Sequence, residues 1–412
     1  MHRRRGFSTL VAVVIVAGIA LPACKKKQPD TAGAGGAGGT EVPAKHETPP
    51  PEKKAAPSTG CALQPRIEAD VTVTKGCALS LSESVNVVEG ATLTIEPGAK
   101  LSFGPEAYVW ISHGRLVAKG TAEAPIVFTS ASKSPAAGDW AGIGLDAQTL
   151  AGTVLDHVVV EHAGRKGQHG SGAITVVGGN LARRITITNS TIRKNEQVGV
   201  HNTGEDSGFA KFEGNTLEEN PASIHVSADV LGSVGANKLG TPLEVEGTVS
   251  KTASWPAVTV PILVTDSVRI GGEKTAAILT IAPKTTLKFT MNTFLEVGTS
   301  DGGGLVAKKV TFTTSNATPA AGDWVGIFFD DKATGSVLEG CTISYAGRED
   351  HSGKGAITFH DSKPGPGVQI TKTTFSNNKQ AAISSDDGDC GDLAKDESEN
   401  KSEGVPLCAP KE

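Results

Sequence analysis

Pro135-Ala136-Ala137-Gly138-Asp139-Trp140-Ala141-Gly142-Ile143 returns almost letter for letter as Pro319-Ala320-Ala321-Gly322-Asp323-Trp324-Val325-Gly326-Ile327, so the chain contains an internal duplication. The match extends both ways at a nearly constant offset. Pro125-Ile126-Val127-Phe128-Thr129 precedes Lys309-Val310-Thr311-Phe312-Thr313 by 184 residues, the interval that also separates Trp140 from Trp324. One residue then drops out. Glu161-His162-Ala163-Gly164-Arg165 aligns with Ser344-Tyr345-Ala346-Gly347-Arg348, and Gly172 to Thr175 with Gly355 to Thr358, at 183. Upstream, Leu93-Thr94-Ile95-Glu96-Pro97 answers Leu279-Thr280-Ile281-Ala282-Pro283. Length changes between these blocks fall where glycine and polar residues cluster, which suits a stack of coils rather than one woven core.

Working outward from that repeat, residues 79 onward form short runs rich in Val, Ile, Leu and Thr, separated by Gly, Asn, Asp and Pro. Such runs predict strands. Among them are Ser84 to Val88, Lys100 to Phe103, Ala173 to Val177, Ile185 to Ile192 and Lys211 to Leu217, each read as one run. No stretch holds a 3.6-residue period for three turns, so helices are expected to be nearly absent. Aromatics are only 4% of the 412 residues while glycines number 50, so the core must be aliphatic and the corners tight.

Spacing separates a solenoid from a sandwich. Asn189 to Asn195 and Gly214 to Asn220 share a pattern one coil apart, with Ile192 and Leu217 separated by 25 residues. A coil of three short strands has about this length, and stacking pairs each strand in parallel with its equivalent. Asparagine at the repeated corner tolerates the left-handed conformation, and its amide can bond the asparagine of the next coil. The ordered set LTIxPG, GxLxAxGT, PIxFT, AGDWxGI, a VEHAG or SYAG strand, and NSTIxxN resembles the right-handed parallel β-helix proteins of the pectin-lyase-like superfamily, as found in surface lipoproteins of Gram-negative bacteria. The resemblance covers residues 79 to about 385 and implies an all-β solenoid of two tandem modules.

The N-terminus reads as an address. Arg3-Arg4-Arg5 precedes the apolar run Leu10 to Ala23, which is short for a membrane span of about 20 residues. It ends Leu21-Pro22-Ala23-Cys24, which resembles a lipobox and implies a lipidated Cys24 as the first mature residue. Lys25 in the next position implies export toward the outer membrane, facing either the periplasm or the cell surface. Residues 24–60 are small, charged or proline and are expected to be a flexible tether. The expected divisions are therefore a signal peptide (1–23), the lipidated tether (24–60), module one with an N-terminal cap (61–247), module two (248–385) and an acidic tail (386–412).

Cysteine usage fits an oxidising compartment. Cys61 and Cys77 lie 16 apart, Cys390 and Cys408 lie 18 apart, and both pairs are expected to staple an end of the solenoid. Each closure constrains the unfolded chain by roughly 3 kcal/mol. Cys341 aligns with Val158 and is read as a buried small apolar residue.

Candidate chemistry is sparse. Gly138-Asp139-Trp140 and Gly322-Asp323-Trp324 pair an acid with a sugar-stacking ring, but Gly-Asp is also a turn signal and the Trp a natural corner filler. Asp139, Trp140, Asp323, Trp324, Arg348 and His351 are binding candidates. His162, Arg165 and His169 are the weak catalytic candidates, because a general acid and base within reach could arise there. No motif of the polysaccharide-cleaving β-helix enzymes is matched. Asp386 to Asp392 invites Ca2+, yet lacks a regular oxygen-ligand frame; no cofactor or metal is expected. A net charge of −5 argues against nucleic acid as a partner. Two functions remain: a lipid-anchored envelope module, structural or binding a polysaccharide or an envelope protein, or a polysaccharide lyase or glycoside hydrolase on the same fold.

Overall fold

The computed structural model of the chain describes residues 57–167, 170–178, 185–204, 207–348, 354–360, 367–386, 390 and 399–409. The solenoid lies within the compact unit Lys53–Glu412. Its strands are short, almost all-β and paired in parallel, as in a parallel β-helix. In the first half, each coil contributes one strand to each of three sheets. The first sheet stacks Ser58–Gly60, Val71–Val73, Thr92–Ile95, Arg115–Lys119, Thr153–Asp156, Ile185–Thr188 and Phe209–Glu213. The second stacks Ala78–Leu81, Lys100–Phe103, Ile126–Ser130, Val158–Glu161, Thr191–Arg193, Thr216–Glu218 and Lys238–Leu239. The third runs from Arg66–Ile67 through Val85–Val87, Tyr108–Ile111, Gly142–Leu145, Gly172–Val176, Val198–Asn202 and Ile224–Ser227 to Leu243–Val249.

The alternation inside each strand explains the arrangement. Thr92–Ile95 and Tyr108–Ile111 turn every second side chain into the lumen, where Leu93, Ile95, Val109 and Ile111 are fully buried. Stacked coils then bury one continuous aliphatic core that no single coil could bury alone.

The two halves are joined by shared strands. Leu243–Val249 pairs with Ile262–Ile270, and this nine-residue strand then pairs through Ile262–Val264 with Thr286–Phe289 and through Val268–Ile270 with Phe294–Val297. One sheet thereby becomes two, and parallel pairing passes unbroken across the duplication boundary. A fresh first sheet begins at Ala253–Trp255 and continues through Ala277–Ile281, Gly303–Lys308, Ser336–Glu339 and Val368–Thr371. Where that sheet restarts, the one short helix among the described residues, Ala228–Leu231, replaces a strand. The buried Trp255 donates its indole N–H to the helix carbonyl of Ala228 at 3.0 Å.

Several sequence expectations need correction. Ile185 to Ile192 is two strands, Ile185–Thr188 and Thr191–Arg193, broken at Asn189, which adopts φ 50°. Lys211 to Leu217 is likewise cut by Gly214 at φ 70°. An uninterrupted polar and β-branched run conceals a corner because the left-handed residue is the only signal. The tether does not reach residue 60, since Ser58–Gly60 already pairs with Val71–Val73. An open sheet edge supplies backbone partners whatever the side chains. Instead of forming a separate cap, residues 61–78 contribute strands Arg66–Ile67 and Val71–Val73 to the stack. In the tail, Lys401–Glu403 adds a rung to Thr374–Ser376. Both expected disulfides are present, Cys61–Cys77 with Cα atoms 5.5 Å apart and Cys390–Cys408 at 6.0 Å. Cys341 is a buried free thiol whose Sγ lies 3.3 Å from the Ala307 carbonyl oxygen.

Candidate functional site

The duplicated Gly-Asp-Trp motifs are structural. Trp140 and Trp324 are both fully buried, stacked on Phe103 at 4.4 Å and Phe289 at 4.0 Å. Their indole N–H groups donate to the carbonyls of Glu161 and Ser344, at 2.9 and 2.8 Å. Neither ring has a face left for a ligand, so the binding expectation for these two residues is replaced by a packing role. Asp139 accepts from the Ala136 N–H and the Ser130 hydroxyl, and Asp323 from the Ala320 N–H, so each carboxylate closes its own turn.

His162 and Tyr345 occupy equivalent corners, both with φ 62°. His162 Nδ1 lies 3.3 Å from the Thr129 hydroxyl, which donates to Glu161, and Glu161 is clamped by Arg193 at 2.9 Å. This network is satisfied from within. Arg165 donates its backbone N–H to Trp140 and approaches Glu106 at 4.0 Å. Arg348 is half-buried at the matching corner after Gly347. His169 and His351 lie outside the described residues, as do Cys24 and most of the acidic tail proposed for Ca2+.

The structure draws attention instead to the outward face of the third sheet. Its register sets Trp110, Gly144, Thr175, His201, His225 and Glu244 in one column on successive rungs. The Trp110 ring covers Gly144, where a Cβ would collide with it. In the second copy the counterpart of Gly144 is Phe328 and that of Trp110 is Glu296, so an aromatic ring occupies the same rung in both halves although the residues do not align. Thr175 is buried beneath Gly170, where an added Cβ would come within 2.7 Å of the Thr175 Cβ.

Beyond that roof stands a cluster that the sequence reading missed. The His201 and His225 rings meet edge to face at 5.1 Å. Glu244 approaches His225 Nδ1 at 3.3 Å, and Glu246 approaches Nε2 at 3.2 Å without hydrogen-bond alignment. Four buried polar atoms on these two adjacent strands have no protein hydrogen-bond partner: His201 Nδ1, Asn202 Nδ2, His225 Nε2 and Ser227 Oγ. The only signal in sequence was two histidines 24 apart, one coil length, and the two glutamates that follow. Among the described residues no group of three or more His, Cys, Asp or Glu is arranged to hold a metal ion.

Burial, with the nearby His225 charge adding to it, pushes the His201 pKa down from 6.5 to about 4. Burial also raises the Glu244 carboxyl above its usual range, opposed by His225 and reinforced by Glu246. For His201 the folded state binds the proton more weakly than the unfolded chain. Its contribution to stability is therefore complete above about pH 6.5 and is lost as pH falls toward about 4. Glu244 acts in the opposite sense, favouring the folded state below its ordinary pKa and losing that contribution as pH rises. The urea midpoint of the native chain is expected to fall between neutral pH and pH about 4.5, and that of His201→Gln to fall less. Identical pH profiles for the two proteins would contradict this assignment.

Comparison with protein families reports on the neighbouring stretch. Residues 65–174 match the family of pectate-lyase like beta helix domains. The matched stretch stops at Ile174, the residue before Thr175, while the parallel coils continue past it, and the histidine cluster stands on the coils that follow. Neither the curated proteins nor the solved structures compared with the chain include a match.

Proposed function

We propose that this β-helix protein is a lipid-anchored component of the outer membrane that binds a glycan at the His201, His225, Glu244 and Glu246 cluster without cleaving it. The observation that carries the reading is the set of three outward-facing polar atoms without a hydrogen-bond partner, His201 Nδ1, His225 Nε2 and Ser227 Oγ, on two neighbouring rungs; Asn202 faces the lumen beside Val200 and Val226. Buried polar groups without partners are costly, and the hydroxyls of a sugar can supply both donors and acceptors. The face is flat and built on rigid strands, and Trp110 stands on the same column. In equilibrium binding to neutral and acidic polysaccharides, the double variant His201→Ala/His225→Ala is expected to lose at least tenfold in affinity. Unchanged affinity would remove the cluster as the binding site.

A second reading, a lyase or hydrolase, draws on one specific feature: His201, neutral at physiological pH, meets His225, which in turn lies 3.3 Å from the Glu244 carboxyl of raised pKa, so a base and an acid share one column. New reducing or unsaturated ends, released by the native chain and abolished in His201→Gln, would favour it over simple binding. The anchor has its own test. Cys24→Ser is expected to move the protein from the membrane fraction to the soluble fraction, and retention in membranes would overturn lipidation at that residue.

A further inference from the structure

One corner of the second half carries a line of cations that the first half lacks. The corner residues Lys284, Lys309, Gly340 and Lys372 lie on successive rungs, linked by the Lys284 N–H to the Lys309 carbonyl at 2.9 Å and onward through Glu339 and Thr371. All three lysines have left-handed backbones, with φ of 68°, 55° and 53°, and all three side chains are exposed. The gap at Gly340 is occupied in part by a neighbour, since a Cβ there would lie 3.6 Å from Lys309 Cγ. Lys308 joins the line by pairing with Glu339 at 3.0 Å. Lys308 foremost, and then Lys372 and Lys309, hold the Glu339 carboxyl below its usual range, so the lysines converge on one region.

Two residues after each corner position comes a threonine. Thr286, Thr311, Thr342 and Thr374 form an unbroken register column, half-exposed throughout and continued by Lys401. The column beside it carries Lys288, Thr313, Ser344 and Ser376. The acids nearby are Glu339, already paired, and Glu403, two residues past Lys401. In the first copy the corner positions that align with Lys284, Lys309 and Lys372 are Gly98, Pro125 and Asn189, all neutral. The three corner charges are therefore present in one copy alone, although Lys308 itself answers Lys119.

We infer that this lysine line and its threonine ladder form a docking surface for a phosphate-bearing glycan chain, separate from the histidine cluster. Rungs repeat at about 4.8 Å, so the cations stand roughly one and two rungs apart along a single line. A linear polymer with spaced anions fits a line, whereas a flat lipid surface calls for cations spread over a plane. The cations are all lysine, compact point charges able to meet spaced phosphate oxygens one at a time. Beside them the hydroxyl rows offer donors and acceptors to sugar hydroxyls, as the neutral flank of a polyanion site requires.

The test uses the full chain with phosphomannan as probe and unphosphorylated mannan as the matched neutral polymer. The native chain is expected to bind phosphomannan in a salt-dependent manner and to ignore mannan. Lys284→Gln/Lys309→Gln/Lys372→Gln is expected to weaken phosphomannan binding at least tenfold, while the triple arginine variant retains it and both keep the native melting temperature. Equal phosphomannan binding by native and glutamine variants would overturn the inference, as would failure of the native chain to bind phosphomannan at all. Lysine-dependent binding that is tighter to polygalacturonate, or to phosphatidylglycerol vesicles, would overturn it in favour of a carboxylate polymer or a lipid surface. Loss of binding in the His201→Ala/His225→Ala variant but not in the glutamine variant would sink this inference and leave the proposed function standing.

Discussion

Trp324→Ala is expected to cost the second half of the solenoid about 3–5 kcal/mol, among the largest effects of any single side chain in the molecule. Three losses coincide at this position. The indole is wholly buried and fills the lumen against Phe289, so truncation leaves a cavity that strands locked into two ladders cannot collapse to fill. Its N–H bond to the Ser344 carbonyl disappears, and that carbonyl sits at the end of strand Thr342–Ser344, just before the left-handed corner at Tyr345. The stacked pair at 4.0 Å is also lost, beyond its area of burial. Trp324→Phe keeps an aromatic ring but not the hydrogen bond, and should cost clearly less. Because a solenoid need not unfold as one unit, the measurement is amide hydrogen exchange on strands Thr311–Thr314 and Thr342–Ser344 together with the urea midpoint. Native-like protection in Trp324→Ala would refute the packing role. Trp140→Ala repeats the experiment in the first half.

That a Gly-Asp-Trp motif serves packing rather than chemistry was half legible beforehand. Its recurrence with equal fidelity argued for a frame, and the frame is what the structure contains. Coils, parallel stacking and the disulfide pairs were also legible, because aliphatic alternation and coil-length spacing are properties of local sequence. The corner positions were harder. Left-handed backbones fall on His162 and also on Lys194, Glu219, Lys309, Tyr345 and Lys372, whose residue types have no intrinsic preference for that region, because stacking two coils fixes the turn regardless of its side chain. His162, a weak catalytic candidate from its neighbours in sequence, stands at one of these corners.

The histidine cluster escaped the sequence for a different reason. His201, His225, Glu244 and Glu246 are up to 45 residues apart, and only register makes them neighbours. Register in turn depends on coil lengths, which vary with each loop. The lysine line had the same difficulty: Lys284, Lys309 and Lys372 look like scattered surface charges until the coils between them are wound. In a solenoid the residues that share a surface are those one coil apart, so function is written at an interval that no local motif captures.

Asn220→Leu should be nearly as damaging as the tryptophan truncation, and for the opposite reason, since it adds apolar volume and removes a polar network. Asn220 is buried, and its Oδ1 accepts from the Asn195 backbone N–H at 3.2 Å and the Asn195 side-chain amide at 2.9 Å. Its own amide donates to the Ile192 carbonyl at 2.9 Å. One rung below, Asn195 Oδ1 accepts from the Ala163 N–H at 2.8 Å, so the bonds form a ladder from coil to coil. Leucine is close in size but leaves two donors and one carbonyl in a dry corner. Each orphan costs about 1–3 kcal/mol, and relaxation of Asn195 toward the Val160 carbonyl recovers part, so a net loss of about 2–5 kcal/mol is expected. Asn220→Asp keeps the acceptor and loses the donor, and should fall between. The buried Asn215 makes a similar arrangement at another corner, donating to the Ile187 backbone carbonyl at 2.9 Å and to the Asn237 side-chain Oδ1 at 3.0 Å, so Asn215→Leu should match Asn220→Leu. If the leucine variants unfold at the native urea midpoint, the ladder is dispensable, and left-handed residues alone hold the corners.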